Sequence, residues 1–295
     1  MRRETIMDPA AIEIRPLVTP RELHACVELQ HATWGREFTD VVPASILKVA
    51  QRVGGVVAGA FGPSHELLGF VFGLTGVERG KIVHWSDMLA VRPDARNLGL
   101  GRRLKEHQRA VVRDAGCSVI YWTYDPLIAR NAHLNFNRLG VRLAEYVDDM
   151  YGVTDSVLHG GIPTDRLVVA WPTHDDEIDQ LLSNAERAVE SIDCLQAPIV
   201  SPDFIEEADG AAILPHCVRV EIPADAEAML RDASADAAVW RARVRRDLHW
   251  ALGAGYTITA LAHADAKSHG YYLMTKATRA GEIGIGMGAG AGSIR

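Results

Sequence analysis

The stretch Val91–Leu104, VRPDARNLGLGRRL, sets two glycines one residue apart, Gly99 and Gly101, among arginines and directly before a helical pattern. Glycine reaches backbone angles that other residues avoid, and with no β-carbon it lets a ligand come close to the main chain. The helix that follows leaves N–H groups unpaired at its start and carries a partial positive charge there. Together these features make an anion site suited to phosphate, to which Arg96, Arg102 and Arg103 can add charge-assisted contacts. Two common phosphate loops are excluded. GxxxxGK[ST] is absent, and GxGxxG fails because Leu104 stands where its third glycine belongs.

Outward from this loop the chain alternates strands and helices. Ile12–Leu17 alternates apolar and polar residues, as a half-buried strand does. Thr19–Gly35 reads as a helix, with Thr19 as cap, Pro20 in first position, Glu22 in the first turn and glycine at the end. Pro43–Gly55 reads as a second helix. Val56–Gly62, Glu66–Gly76 and Lys81–Val91 are three apolar strands. Gly101–Gly116 is a helix, Cys117–Tyr124 a strand, Ala129–Gly140 a short helix, and Asp165–Trp171 a last strand stopped by Pro172. The order β-α-α-β-β-β-α-β-α-β predicts an α/β fold with a mixed sheet.

Arg96-x-x-Gly99-x-Gly101 between an apolar strand and a helix resembles the pyrophosphate-binding motif [QR]xxGx[GA] of the GNAT acetyltransferase superfamily. The wider run MLAVRPDARNLGLG and the element order from Ile12 to Trp171 are similar to that superfamily as well. The resemblance implies a mostly antiparallel mixed sheet flanked by helices, and acetyl-CoA or another acyl-CoA as co-substrate. It assigns the backbone of Leu89, Ala90 and Val91 to the pantetheine arm, and the loop amides of Asn97, Leu98, Gly99, Leu100, Gly101 and Arg102, beside Arg96, to the pyrophosphate. It also implies attack by a neutral amine on the thioester carbonyl, which needs a base.

Asp87 is the expected base. It shares a strand face with Trp85, near the place where many relatives carry glutamate, and His84 points the other way. The superfamily often protonates the departing thiolate with a tyrosine in YxxxG[FV], but the matching segment here, FNRLGV, has Phe136, which has no proton to give. An asparagine often found three residues before Ala132 is replaced by Ala129, and the nearest one is Asn131. DMLAV, WTYDPL, NAHLN, Tyr151-Gly152 and PTDRL together resemble a branch with an extra C-terminal region, some members of which are associated with N-succinylation of amino acids. In that reading Asp125, Asn131 and Asn135 line the acyl or acceptor site. The implied function is transfer of an acetyl or succinyl group to the amine of a small molecule. A non-catalytic acyl-CoA sensor stays open on the same residues, because of Phe136.

Residues 12–173 are expected to form the acyltransferase domain, 174–280 a smaller α/β region, and 281–295 a glycine-rich tail that does not pack. In the smaller region Cys217–Pro223 reads as a strand, Asp236–Gly255 as a long helix, and Tyr256–His263 and Gly270–Met274 as strands. Arg241 and Arg245, four apart on the long helix, read either as solvated or as a clamp over the site. The smaller unit leaves a homodimer interface open.

With 48% hydrophobic and 23% charged residues over 295, the composition is that of an ordinary globular protein. A net charge of −7 argues against a general nucleic-acid binder. No apolar run is long enough for a membrane span, and MRRETIMDPAA, with two arginines but no apolar core behind them, does not read as a secretory signal. Four cysteines without a CxxC pair fit a reducing compartment, so a cytoplasmic protein is expected. Histidines, cysteines and carboxylates show no metal-ligand spacing, and no metal is expected.

Overall fold

The structure is a computed structural model and describes residues 8–152, 161–209, 211, 213–232, 235–263 and 269–276. The tail 281–295 lies outside the described residues. After strand β1 (Glu13–Pro16), helix α1 (Pro20–Trp34) starts where the sequence marks it. Thr19 Oγ1 accepts the Glu22 amide at 3.2 Å, and the Glu22 carboxylate takes the Thr19 amide at 2.9 Å. Helix α2 (Ala44–Arg52) follows, and then β2 (Val56–Phe61), β3 (Leu67–Glu78) and β4 (Lys81–Val91) form an antiparallel meander.

Helix α3 (Leu100–Asp114) crosses to β5 (Val119–Tyr124). Helix α4 (Ala129–Ala132) widens into a π-type turn, His133–Leu139, and β6 (Arg142–Val147) and β7 (Arg166–Pro172) complete the sheet. The strand order is β1-β2-β3-β4-β5-β7-β6. Every neighbouring pair in it is antiparallel except β4 with β5.

Alternation along the central strands builds two layers. Phe70, Phe72, Met88 and Ala90 pack against Leu23, Leu29 and Leu47 of α1 and α2. Val71, Ile120 and Trp122 point to the opposite face, against Leu100, Leu104 and Val112 of α3.

The rest of the chain adds α5 (Asp175–Glu190), α6 (Ile192–Leu195), α7 (Pro202–Asp209), β8 (Cys217–Ile222), α8 (Ala226–Arg231), α9 (Ala235–Gly253), β9 (Tyr256–His263) and β10 (Gly270–Lys276). The three strands form a second antiparallel sheet, β8-β10-β9. This unit lies over α4 and the π turn, and its Val218, Val220, Val244, Leu248 and Tyr272 join the core that holds Leu127, Phe136 and Trp171. Asn137 clips the two together by bonding the Leu261 carbonyl and amide at 3.0 and 2.9 Å.

Several elements differ from the sequence reading. β6 was not foreseen, being an edge strand half-buried at most positions, with weak contrast between its faces. The short helices α6, α7 and α8 were not foreseen either, and β7 includes Pro172 rather than stopping before it. Among the described residues no helix is long and apolar enough to cross a membrane, and no cluster of three or more His, Cys, Asp or Glu could hold a metal.

Candidate active site at the fork of β4 and β5

β4 and β5 pair at His84↔Ile120 and Trp85↔Tyr121. Beyond these residues the strands part. The β4 edge toward β5 is therefore unpaired along Leu89, Ala90 and Val91, while the other edge stays bonded to Val71, Phe70 and Gly69 of β3. A bulge sits where the fork opens: Phe72 faces Met88 and Gly73 faces Ser86, which leaves Asp87 as an extra residue. A bulge of this kind bends a strand and re-aims its side chains. Gly73 is required opposite it, since a β-carbon there would lie 2.3 Å from His84 Nε2 and 2.6 Å from the Trp85 carbonyl oxygen.

The glycine loop stands at the mouth of the fork. Gly99 caps α3 with φ 71°, and Asn97 takes φ 65°, both left-handed. The amides of Asn97, Leu98 and Gly99 have no acceptor among the described residues. Those of Leu100, Gly101 and Arg102 are first-turn donors with no partner inside the helix. A β-carbon at Gly99 would meet open space, and one at Gly101 would touch Leu89 at 3.7 Å. Arg96 and Arg102 are exposed, with Arg102 bonded to Glu106 at 2.7 Å. Arg103 is employed differently from the sequence expectation. Its guanidinium binds the Pro9 and Ile12 carbonyls at 2.8 and 2.6 Å and ties the start of the chain to α3.

The two faces of the fork differ in chemistry. On the face of the α1–α2 connection, Asp87 opens to solvent. It still lies among enough protein that desolvation, followed by the like charge of Asp40, raises its carboxyl pKa. On the α3 face, His84 is fully buried. Its Nδ1 is 2.9 Å from Thr75 Oγ1, and that hydroxyl donates to the Gly54 carbonyl at 2.6 Å, so Nδ1 carries the ring proton. Nε2 then accepts from the Gln108 amide at 3.0 Å. Burial and the nearby Lys105 charge lower the His84 pKa to about 4. Next to it Lys105 Nζ donates to Ser86 Oγ at 2.7 Å and lies 3.7 Å from the centre of the Trp122 ring.

The remaining expected residues fall around α4. Asn131 is half-buried, with its amide on the Ile128 carbonyl at 3.0 Å. Asn135 is buried and accepts the Trp122 indole N–H at 3.3 Å, and Phe136 is buried in the core. Asp125 has a setting other than the one expected. Arg241 grips both its oxygens at 2.9 and 2.5 Å, Arg166 lies 3.5 Å away, and the Leu127 amide bonds it at 2.9 Å, so the carboxylate joins the two units. Arg245 likewise binds the buried Asp165. Arg241 is buried and Arg245 half-buried, and both guanidinium groups are already held by carboxylates within the fold. Sequence reasoning gave no role to Ser86, Lys105 or Tyr151, whose hydroxyl is 3.2 Å from Thr123 Oγ1 at the end of β5.

Residues 25–140 match the model of the acetyltransferase (GNAT) family. No curated protein matches the chain. Among solved structures, it is similar to the ribosomal-protein-S18-alanine N-acetyltransferase of Escherichia coli, at 20% identity and a TM-score of 0.42, over 55% of this chain and 94% of that one. A GNAT-family acetyltransferase of Streptococcus pneumoniae gives 15% identity and a TM-score of 0.44, over 55% and 99%. An aminoglycoside acetyltransferase from an uncultured soil metagenomic sample, solved with sisomicin, gives 14% and 0.36, over 40% and 80%. The matched residues 25–140 hold the glycine loop and both strands of the fork, and over that segment the chain is similar to the GNAT acetyltransferase family.

Proposed function

We propose that the fork and the glycine loop bind an acyl-CoA, and that the protein transfers its acetyl or succinyl group to the amine of a small molecule, an amino acid being the favoured class. One arrangement carries this reading. Six consecutive amides, Asn97 to Arg102, have no backbone acceptors among the described residues, at the mouth of a fork whose β4 edge is open. The amides suit a pyrophosphate, and the open edge at Leu89–Val91 suits the amide-bearing pantetheine arm.

Asp87 is the proposed base. A carboxylate with a raised pKa holds a proton taken from the incoming amine better than an ordinary one. A main-chain N–H of the open β4 edge is the donor for the developing oxyanion. Asn131 is the proposed polar contact on the α4 side, and Asp125 acts through the loop it braces. A second reading, a sensor that binds acyl-CoA without turnover, is favoured by Phe136 alone.

Thermal melts with coenzyme A, acetyl-CoA and succinyl-CoA test this on the wild type and Gly99→Glu. Ligand at a hundred times its Kd stabilises by about 2.7 kcal/mol. A shift in the wild type that Gly99→Glu loses supports the site, and the acyl group giving the larger shift names the donor. Thiol release from that donor separates enzyme from sensor. A wild type unmoved by all three ligands overturns the reading.

A further inference from the structure

Phe136 leaves the departing thiolate without its usual donor, and the α3 face of the fork holds a pair suited to the task. Ser86 is the first β4 residue beyond the last β4–β5 pair, and Trp122 is the first such residue of β5. Lys105 reaches both from α3, 2.7 Å from Ser86 Oγ and 3.7 Å from the Trp122 ring centre. It faces His84 and Ser86 from β4 and Trp122 from β5; Gln108 of its own helix bonds His84, and Asn135 of the π turn accepts the Trp122 indole N–H. Of these His84 is the titratable group, and it is neutral above about pH 4. No carboxylate pairs with Lys105 among the described residues. A lysine only 5% exposed and without a counter-ion destabilises a core that methionine would fill as well. Because the lysine donates to Ser86 Oγ, the serine O–H is left to point elsewhere, and among the described residues it has no other acceptor.

We infer that Ser86 and Lys105 are the proton donor of the transfer, Ser86 as catalytic residue and Lys105 as the positioning residue that reprotonates it. When the C–S bond of the tetrahedral intermediate breaks, the Ser86 hydroxyl gives its proton to sulfur and Lys105 passes an N–H proton to the serine oxygen. The neutral lysine then recovers a proton from water, and Asp87 releases to water the one it took from the amine. Base and acid thus stand on opposite faces of the fork, on consecutive residues of β4, whose side chains alternate across the strand. Burial lowers the Lys105 pKa well below the usual lysine range, which makes its ammonium the stronger acid. This rests on the acyl-CoA reading above.

The test measures thiol release from acetyl-CoA with a mixture of the twenty amino acids, across pH, for wild type, Ser86→Ala, Lys105→Met and the double variant. Acetyl-CoA binding and melting are followed in parallel. Each single variant is expected to lose about 10²-fold or more in kcat, with KM for acetyl-CoA little changed. The double variant is expected to be no worse than either, and the fall in rate at alkaline pH should vanish in Lys105→Met. Should Lys105→Met fail to fold, Ser86→Ala, which removes one oxygen, decides alone. Wild-type kcat and an unchanged alkaline fall in Ser86→Ala overturn the proposal. So does a wild type that binds acetyl-CoA and releases no thiol. A wild type that does not bind acetyl-CoA instead removes the underlying functional reading.

Discussion

Replacing Arg241 by methionine strands the Asp125 carboxylate at the junction of the two sheets. The Arg241 side chain is 4% exposed and that of Asp125 11%, so little water reaches the gap. Breaking a buried pair by removing one partner costs about 3–5 kcal/mol. Here Arg166 at 3.5 Å and the Leu127 amide at 2.9 Å stay with the carboxylate, which sets the expected loss near the low end, about 3 kcal/mol. In a chain of this size that lowers Tm by about 5 °C. Asp125→Leu, which takes the carboxylate from the buried Arg241 guanidinium, should cost about as much. The double variant removes both charges and leaves chiefly the Leu127 amide unsatisfied, a loss of about 1–3 kcal/mol. Urea unfolding followed by tryptophan fluorescence gives all three values. The double variant should be at least about 2 kcal/mol more stable than the sum of the singles predicts. Single losses that add to within about 0.5 kcal/mol would refute the view that this pair acts as a unit.

Gly73→Ala forces a β-carbon onto His84 Nε2 and the Trp85 carbonyl, and should destabilise by about 1–3 kcal/mol in the same urea assay. Free His84 titrates near 6.5 and the folded one at about 4, so the unfolded chain binds the proton more readily between those values. Stability should therefore fall by about 3 kcal/mol as pH drops through that window, and His84→Gln should flatten the slope; an unchanged slope would assign it to other groups. The raised Asp87 pKa places the acid limb of kcat/KM above the usual carboxylate range, with activity lost as pH falls through it. Asp87→Asn should abolish the limb and lower the rate about 10²–10⁴-fold; a limb that persists would move the base elsewhere.

The glycine loop was legible because φ above zero and unpaired helix-start amides leave a mark in residue type, and Gly99 bears it out at φ 71°. α1 was legible through its Thr19–Glu22 cap. Asp87 could be named, but its bulge could not, since one extra residue in β4 leaves no trace in composition and inverts the alternation for the rest of the strand. Lys105 hid for a similar reason. Among Arg102, Arg103, Glu106 and His107 it reads as one more solvated charge, and only the fold shows that its stripe of α3 turns inward. Arg241 and Arg245 were seen as a pair, yet their partners lie 116 and 80 residues away, a separation that no local pattern encodes.

The shared core also has a history within each molecule's synthesis. Tyr124 and Pro126 are covered by the Tyr272 hydroxyl, 3.3 Å from that of Tyr124 and 2.8 Å from the Pro126 carbonyl oxygen. At ordinary elongation rates a ribosome needs roughly 7–28 s to travel from the π turn to β10. Over that interval the nascent chain shows Leu127, Ile128 and Phe136 without the sheet that later seals them. The bare face is a natural target for chaperones, and stalled translation between β7 and β10 would yield a fragment prone to aggregate before it could bind any substrate.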